Sequence, residues 1–401
     1  MVIAIDASRA NVEQRTGTEW YSFHVIQGLK KIIPAEHTVI LYTKEELRED
    51  LLPLPDNWET RILRWPPKFM WTQLRFSLEM LFNKPDVLYI PAHTIPFIHP
   101  QKVALVVHDV GFERTAELYD DKQIGYQSGI SKRLINLAVR TFTLGKYGAT
   151  EHDYHRFSMD VALKAATKMI TVSEFSKKEI HDVYGYSLDN IIPIHNGLNT
   201  RKVTMNKKAQ RAVLGKYGLR VDEEFLLFIG RIEQKKNIPR VIDAYALLRE
   251  KYGYEGKLVL AGSPGYQYEE VQQQIEQHKL REHIIETGWI EDEDIAVLLH
   301  KAKAFIFPSL YEGFGIPVLE AMDAGVPVVC SDIEPLREIA GDAAVFFDPN
   351  SPESIADVTN ELLGDEARQK ELVELGKAQK DKFSWEKTAE GTWEVIKGML
   401  K

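Results

Sequence analysis

Three things are scarce or missing in this 401-residue chain: cysteine, of which Cys330 is the only one, any run of 18 apolar residues, and any Gly-x-Gly-x-x-Gly. One cysteine excludes an internal disulfide framework, and its place in the apolar run 326–330 marks it as a small buried hydrophobe. Without a long apolar run no segment reads as a membrane span. The opening apolar residues 2–5 lead straight into Asp6, so no signal peptide is expected and the expected location is the cytoplasm. The missing glycine fingerprint counts against a nicotinamide dinucleotide enzyme. Excess positive charge is absent too. The net charge is −9, with 23 basic against 24 acidic side chains in residues 1–198 and 27 against 35 in residues 199–401, which disfavours bulk nucleic-acid binding.

Two windows of the first half contain no acid. Residues 60–77 set Arg61, Arg64, Lys68 and Arg75 among Trp65, Phe69, Met70, Trp71 and Phe76, and residues 122–150 carry Lys122, Lys132, Arg133, Arg140 and Lys146. Basic residues interleaved with aromatics suit an anionic bilayer surface, so peripheral contact with the inner face of the cytoplasmic membrane is one expectation. A solvated helix face over a core stripe is the plainer one.

The length suits two domains. Short β-branched runs alternate with helical patterns throughout, with strands expected at 2–6, 38–42, 61–63, 87–90, 103–107, 169–172 and 191–194, then at 225–229, 258–261, 284–287, 304–307, 326–330 and 345–347. Such alternation predicts an α/β chain with two doubly wound parallel sheets. The polar stretch 199–224, with Lys202, Asn206, Lys207 and Lys208, reads as a linker followed by a small helix. Ligands of open α/β sheets bind beyond the carboxyl ends of the strands, where the chemistry-bearing motifs of this chain fall.

The most informative motif is YEGFGIPVLE at 311–320, which reads as the loop and helix start after a strand. Gly313 and Gly315 let backbone approach a ligand, Pro317 fits a first helical turn, and the free N–H groups there suit a diphosphate. Glu312 and Glu320 then read as acceptors for sugar hydroxyls. After the strand at 225–229, Gly230 turns the chain into Arg231, Lys235, Lys236 and Asn237, cations placed to clamp phosphate oxygens. Gly262-Ser263-Pro264-Gly265 offers backbone to a base or ribose. In the first half, His108 ends a strand where it suits a sugar hydroxyl or a reacting centre, and Gly17 offers room for a phosphate or acceptor. Asp292-Glu293-Asp294 has the look of a metal motif, but acids at a helix start explain it better. His152 and His155 lack the partners of a zinc site and read as polar surface.

Together VVHDV, ITVSEFSKKEI, IHNGLN, GRIEQKKN and SLYEGFGIPVLEAMDAGVPVVCSD, in this order along the chain, resemble the retaining glycosyltransferase family 4 of the GT-B type, in its mannosyltransferase-like members. The resemblance implies two Rossmann-like domains facing across a cleft: residues 1–198 on the acceptor side, 199–382 on the nucleotide-sugar side, and a C-terminal helix in 383–401 packing back on the first domain. It implies His108, Arg231, Lys236 and Glu312 as catalytic residues, with no metal and no cofactor. Donor contacts are implied at Gly17, Asn196, Gly230 and Gly262, and along the second loop at Ser309, Gly313, Phe314, Gly315, Ile316 and Glu320. The expected partners are a GDP- or UDP-linked sugar, GDP-mannose first, and a glycan or lipid-linked glycan acceptor of polysaccharide biosynthesis. A non-catalytic sugar-nucleotide-binding protein and a sugar-nucleotide epimerase are the alternatives. The chain departs from the family in a short first glycine loop and in Asn237, where many members have glycine; asparagine also accepts turn conformations.

Overall fold

Short runs of Val, Ile, Leu and Phe form strands buried on both faces, the pattern that parallel sheets covered by helices require. The computed structural model describes residues 1–65, 70–119, 139–141, 145–198, 200 and 206–401. The chain divides into two compact units: Met1–Ala116, Asp120–Gly197 and Ser384–Lys401 form one, and Glu117–Tyr119 with Leu198–Phe383 form the other.

In the first unit, β1 (Val2–Asp6), β2 (Thr38–Thr43), β3 (Trp58–Ile62), β4 (Val87–Ile90), β5 (Val103–Val106), β6 (Lys168–Thr171) and β7 (Ile191–Pro193) make one parallel sheet in the order β3-β2-β1-β4-β5-β6-β7. The second unit has six parallel strands, β8 (Phe225–Ile229), β9 (Lys257–Ala261), β10 (Ile284–Gly288), β11 (Ala304–Phe307), β12 (Val328–Ser331) and β13 (Ala344–Phe347), in the order β10-β9-β8-β11-β12-β13. Each sheet is wound outward in both directions from its first strand. The winding reverses between β1 and β4 and again between β8 and β11, and such reversals open a ligand crevice beyond the strand ends.

Every expected strand is present, with one displaced. The third was expected at 61–63 and lies at Trp58–Ile62, paired from Val39↔Trp58 to Thr43↔Ile62. It is an edge strand bearing Glu59 and Arg61, and edge strands carry charge that blurs their apolar signature. Of the two acid-free windows, Lys68, Phe69, Lys122, Lys132 and Arg133 lie outside the described residues, as do Asn199 and Lys202 of the expected linker. Trp71 and Phe76 are buried and stack at 5.3 Å, so these two aromatics belong to the core. Cys330 is buried in β12, and burial pushes its thiol pKa up.

The first unit owes part of its core to the end of the chain. Helix α1 (Gly17–Ile32) is capped by Thr16 and Glu19, and α2 (Ser77–Phe82) and α3 (Glu151–Ala165) follow it in sequence. The C-terminal helix Trp385–Leu400 lies along α1 and adds Trp385, Trp393 and Ile396 to the first unit's apolar core. His24 is stacked between Trp20 at 5.3 Å and Trp385 at 4.8 Å, and burial, then the Arg15 charge, lower its pKa to about 4. Arg15 is fixed by Asp50 at 2.7 and 3.1 Å and by the Ala10 carbonyl, which makes it a structural cation.

The helices approach most closely at Gly28, where an added Cβ would sit 2.4 Å from the Ala389 Cβ. Glycine inside a helix costs about 0.5–1 kcal/mol relative to alanine, so Gly28→Ala would be stabilising on propensity alone. Overpacking costs about 1–3 kcal/mol and outweighs that gain. Gly28→Ala is expected to lower the midpoint of chemical unfolding, and Ala389→Gly in the same chain to restore it. An unchanged midpoint in the single variant would show that the two helices part freely at this point.

Candidate functional site

In the second unit the loops after β8, β9 and β11 are bound to one another by backbone. Gly230 N–H donates to the Ala261 carbonyl at 2.9 Å, Ile232 N–H to Ser263 at 3.0 Å, Gly265 N–H to Ile232 at 2.8 Å, and Leu310 N–H to Lys235 at 2.9 Å. The fit at Gly262 admits only glycine, because a Cβ there would lie 1.9 Å from the Gly230 carbonyl oxygen. Gly230, Gly262 and Ser309, all expected donor contacts, are thus gathered at the β8–β11 reversal.

This arrangement fixes the charged groups. Lys236 ends a short 3-10 turn, Gln234–Lys236, and forms an ion pair with Glu312 in the loop after β11. Side-chain exposure is 13% for Lys236 and 15% for Glu312, so the pair is largely withdrawn from water. The ammonium also lies 5.0 Å from the centre of the Phe307 ring. Burial alone would raise the pKa of Glu312, but the charges of Lys236 and Lys235, with hydrogen bonding from Lys236 and Ser309, outweigh it and hold the carboxyl below its ordinary value. Arg231 is 61% exposed, with Glu233 at 3.7 Å, and Glu233 also meets Lys235 at 3.6 Å. Three cations face two carboxylates, so the loop remains positive at its open edge.

Asn237 adopts the left-handed turn with φ 58, and its side chain adds a bond to the Pro349 carbonyl at 2.7 Å and accepts one from Arg240 at 2.9 Å. Asparagine therefore does more here than tolerate the turn, since it ties the cation loop to the segment after β13.

Gly313, Phe314 and Gly315 lead into helix Ile316–Asp323, with Pro317 in its first turn. Gly315 has φ +116, and a Cβ there would lie 2.7 Å from a Leu336 methyl, so glycine is required twice over. Phe314 is 4% exposed and packs edge-on against Phe383 at 5.8 Å, which turns its ring into the core. Ile316 opens the helix, and Glu320 lies buried one turn on. The acids at 292–294 begin the helix Asp292–Lys301, and Asp294 is held by Lys216 at 2.5 Å and by the Tyr217 hydroxyl at 2.7 Å, a structural anchor.

The first unit places His108 two residues past β5. Its ring meets Tyr21 edge-on at 4.8 Å. Burial dominates its titration and lowers the pKa to about 4, against the raising effects of Asp109 and a hydrogen bond to the Pro91 backbone. The imidazole is therefore neutral at pH 7, and its Nε2 is buried without a hydrogen-bond partner among the described residues. Gly17 is the first residue of α1, with open space where a Cβ would stand. Asn196 is 6% exposed, and its Oδ1 has no hydrogen-bond partner among the described residues. The neighbouring Gly197 is pressed against the Trp385 backbone, 2.2 Å from where a Cβ would fall.

One group escaped the sequence reading. His93, three residues past β4, shares a 3.0 Å hydrogen bond with His155 of α3, and burial followed by the His155 charge takes its pKa down to about 3. The polar-surface reading of His152 and His155 is corrected accordingly. His155 stacks on Phe112 at 4.8 Å, and His152 bonds to the Phe112 carbonyl, because α3 turns that face inward. The only signal in the sequence was the position of His93 just past a strand, the same as that of His108.

The family model described as "Glycosyl transferases group 1" matches residues 210–380, most of the second unit. "O-antigen chain mannosyltransferase B" of Escherichia coli is 34% identical over 249 residues, which span 62% of this chain and 65% of that protein. Among solved structures, WaaG, a glycosyltransferase involved in lipopolysaccharide biosynthesis, superposes with a TM-score of 0.69 at 16% identity over 99% of this chain and all of the other. Anabaena HepE in complex with UDP-glucose gives 0.68 at 14% identity over 99% and 98%. The fold is the GT-B fold of glycosyltransferases. Residues 210–380 thus match the group 1 glycosyl transferase domain, and the chain is similar to an O-antigen mannosyltransferase over less than two thirds of that protein's length.

Removing one partner of a buried ion pair costs about 3–5 kcal/mol because the other charge is stranded. Lys236→Ala is expected to lower the unfolding midpoint accordingly, and Glu312→Gln added to it to recover most of the loss. The folded-state pKa of Glu312 is depressed, so the pair's contribution is fully present above the ordinary value of 4.5 and is lost as pH falls through the folded-state value. The gap between wild type and Lys236→Ala should therefore close in acid. A gap independent of pH would refute the electrostatic account.

Proposed function

We propose that the chain is a retaining, metal-independent glycosyltransferase that moves a hexose from a nucleotide-diphosphate sugar to a glycan or lipid-linked glycan acceptor in polysaccharide biosynthesis. The observation that carries this reading is the buried Lys236–Glu312 pair, set with Arg231 in interlocked glycine loops at the β8–β11 reversal. Breaking the bond to the sugar leaves negative charge on the diphosphate, and cations already in place stabilise it without reorganising. Lys236 and Arg231 take that role, helped by the N–H groups at the start of helix Ile316–Asp323. Glu312 contacts the donor sugar and Glu320 the ribose. His108, neutral and hydrogen-bonded on its other nitrogen, offers Nε2 as an acceptor for a sugar hydroxyl. The departing phosphate oxygen takes the proton of the acceptor hydroxyl on the same face, so no protein nucleophile is needed.

GDP-mannose is the first donor, supported by the likeness to the E. coli mannosyltransferase. The second reading is a UDP-linked sugar, favoured by the common fold with HepE, whose structure contains UDP-glucose.

Arg231→Ala separates catalysis from folding, since its guanidinium is mostly exposed and has one distant carboxylate partner. Turnover should fall about a hundredfold or more with an unchanged melting temperature, and wild-type turnover would remove Arg231 from the clamp. Gly17→Ala meets no protein atom, so a loss of activity at full stability is expected if a substrate passes there. A ligand that binds only the native state raises its melting temperature. GDP should do so more than UDP, and stabilisation by UDP alone would replace the donor.

A further inference from the structure

Lys235 and Lys236 are neighbours in one 3-10 turn, and at about three residues per turn their side chains diverge by roughly 120°. Lys236 turns to Glu312 and lies 5.0 Å from the centre of the Phe307 ring. Lys235 lies over a different ring, with its ammonium 4.9 Å from the centre of Tyr119. That is within the ~6 Å reach of a cation–π attraction. Tyr119 belongs to the short segment Glu117–Tyr119, which is part of the second unit although far in sequence from the rest of it. It directly follows the 3-10 turn Ala116–Leu118, whose Leu118 is buried. We propose that Tyr119 is a positioning residue that holds Lys235 as a third cation of the diphosphate site; the inference rests on the transferase reading and deepens it.

A lysine ammonium is a hydrated point charge on a flexible stem and stands still only where something holds it. A carboxylate would hold it and cancel its charge. The face of a ring holds it and leaves the charge available to an incoming anion. The acids of the loop are already divided: Glu312 is committed to Lys236, and Glu233 is shared between Lys235 at 3.6 Å and Arg231 at 3.7 Å, both beyond hydrogen-bond length. The Lys235 side chain is 24% exposed, and partial desolvation of this kind strengthens a cation–π contact. Backbone ties the lysine to the site as well, since its carbonyl accepts the Leu310 N–H at 2.9 Å, two residues before Glu312. Its charge reaches Glu312, where it ranks next to that of Lys236 in holding the carboxyl below its ordinary value. An ammonium held beside that carboxylate before a ligand arrives is preorganised for the charge of a diphosphate.

The test is a double-mutant cycle read by calorimetric titration of the full chain with GDP, or UDP if that is what the wild type binds, and with inorganic pyrophosphate. Tyr119→Leu removes the ring face and should weaken both ligands about fivefold, while Tyr119→Phe keeps the face and should bind as the wild type does. Lys235→Gln should weaken both about tenfold. In the Lys235→Gln chain, Tyr119→Leu should have no further effect, because no ammonium remains for the ring to hold. Losses that simply add would overturn the proposal, as would equal affinities in Tyr119→Leu and the wild type. A loss for the nucleotide with none for pyrophosphate would overturn it too, since the ring would then be meeting the nucleoside. A wild-type chain that binds neither GDP nor UDP would overturn the transferase reading and this inference with it, whereas the other failures leave that reading standing.

Discussion

A lysine and a glutamate that hold each other out of water organise the second unit. Lys236 follows β8 and Glu312 follows β11, the two strands between which the sheet reverses its winding, and their pairing fixes one loop against the other. The rest of the site depends on that constraint. The backbone bonds from Leu310 to Lys235 and from Ile232 to Ser263 hold in register what the ion pair draws together. Gly262 and Gly315 are the places where a side chain would prevent the closure. A desolvated pair contributes little net stability when measured against apolar residues of equal size. Its presence in a glycine loop at a ligand-binding edge therefore argues for a use of the charges themselves.

The pair also changes what Lys236 means as a probe. From the sequence it reads as a surface cation beside phosphate, so its removal would touch activity far more than folding. In the structure its removal strands a buried carboxylate, so an effect on folding accompanies any effect on turnover. Arg231, five residues earlier and open to solvent, is where the two effects separate.

Much of this was legible in the sequence because parallel strands buried on both faces are written as unbroken apolar runs. β8 and β11 are FLLFI and AFIF, and their boundaries follow from composition alone. The glycine loops were legible because Gly313 and Gly315 bracket a phenylalanine just ahead of a proline, a pattern with few backbone solutions. Pairing through space was not. Nothing in the spacing of 76 residues between Lys236 and Glu312 states that they meet, nor that His93 and His155 share a proton. The edge strand β3 was misplaced for a related reason, since its polar alternation serves solvent on one side. The helical stretch at 71–82 misled more deeply. Its buried aromatics read as a core stripe, which is correct, but the outward leucines are invisible until the inward face is known.

The strand-end histidines extend the argument from the second unit to the first. His93 and His108 follow adjacent strands, β4 and β5, and burial keeps both neutral at pH 7. The nearby charges of Asp109 and Glu19 would favour the protonated form of His108, and Arg9 opposes them, so desolvation decides the outcome. A protonated imidazole can only donate, whereas a neutral one bonded to the Pro91 backbone through one nitrogen keeps a lone pair on the other. His93 is hydrogen-bonded to His155, while His108 retains a buried Nε2 with no partner among the described residues. Leaving that atom unmet is costly unless a ligand meets it, and this distinguishes the two rings where sequence position does not. Under the proposed function the hydroxyl-binding role goes to His108, whereas His93 is engaged by His155.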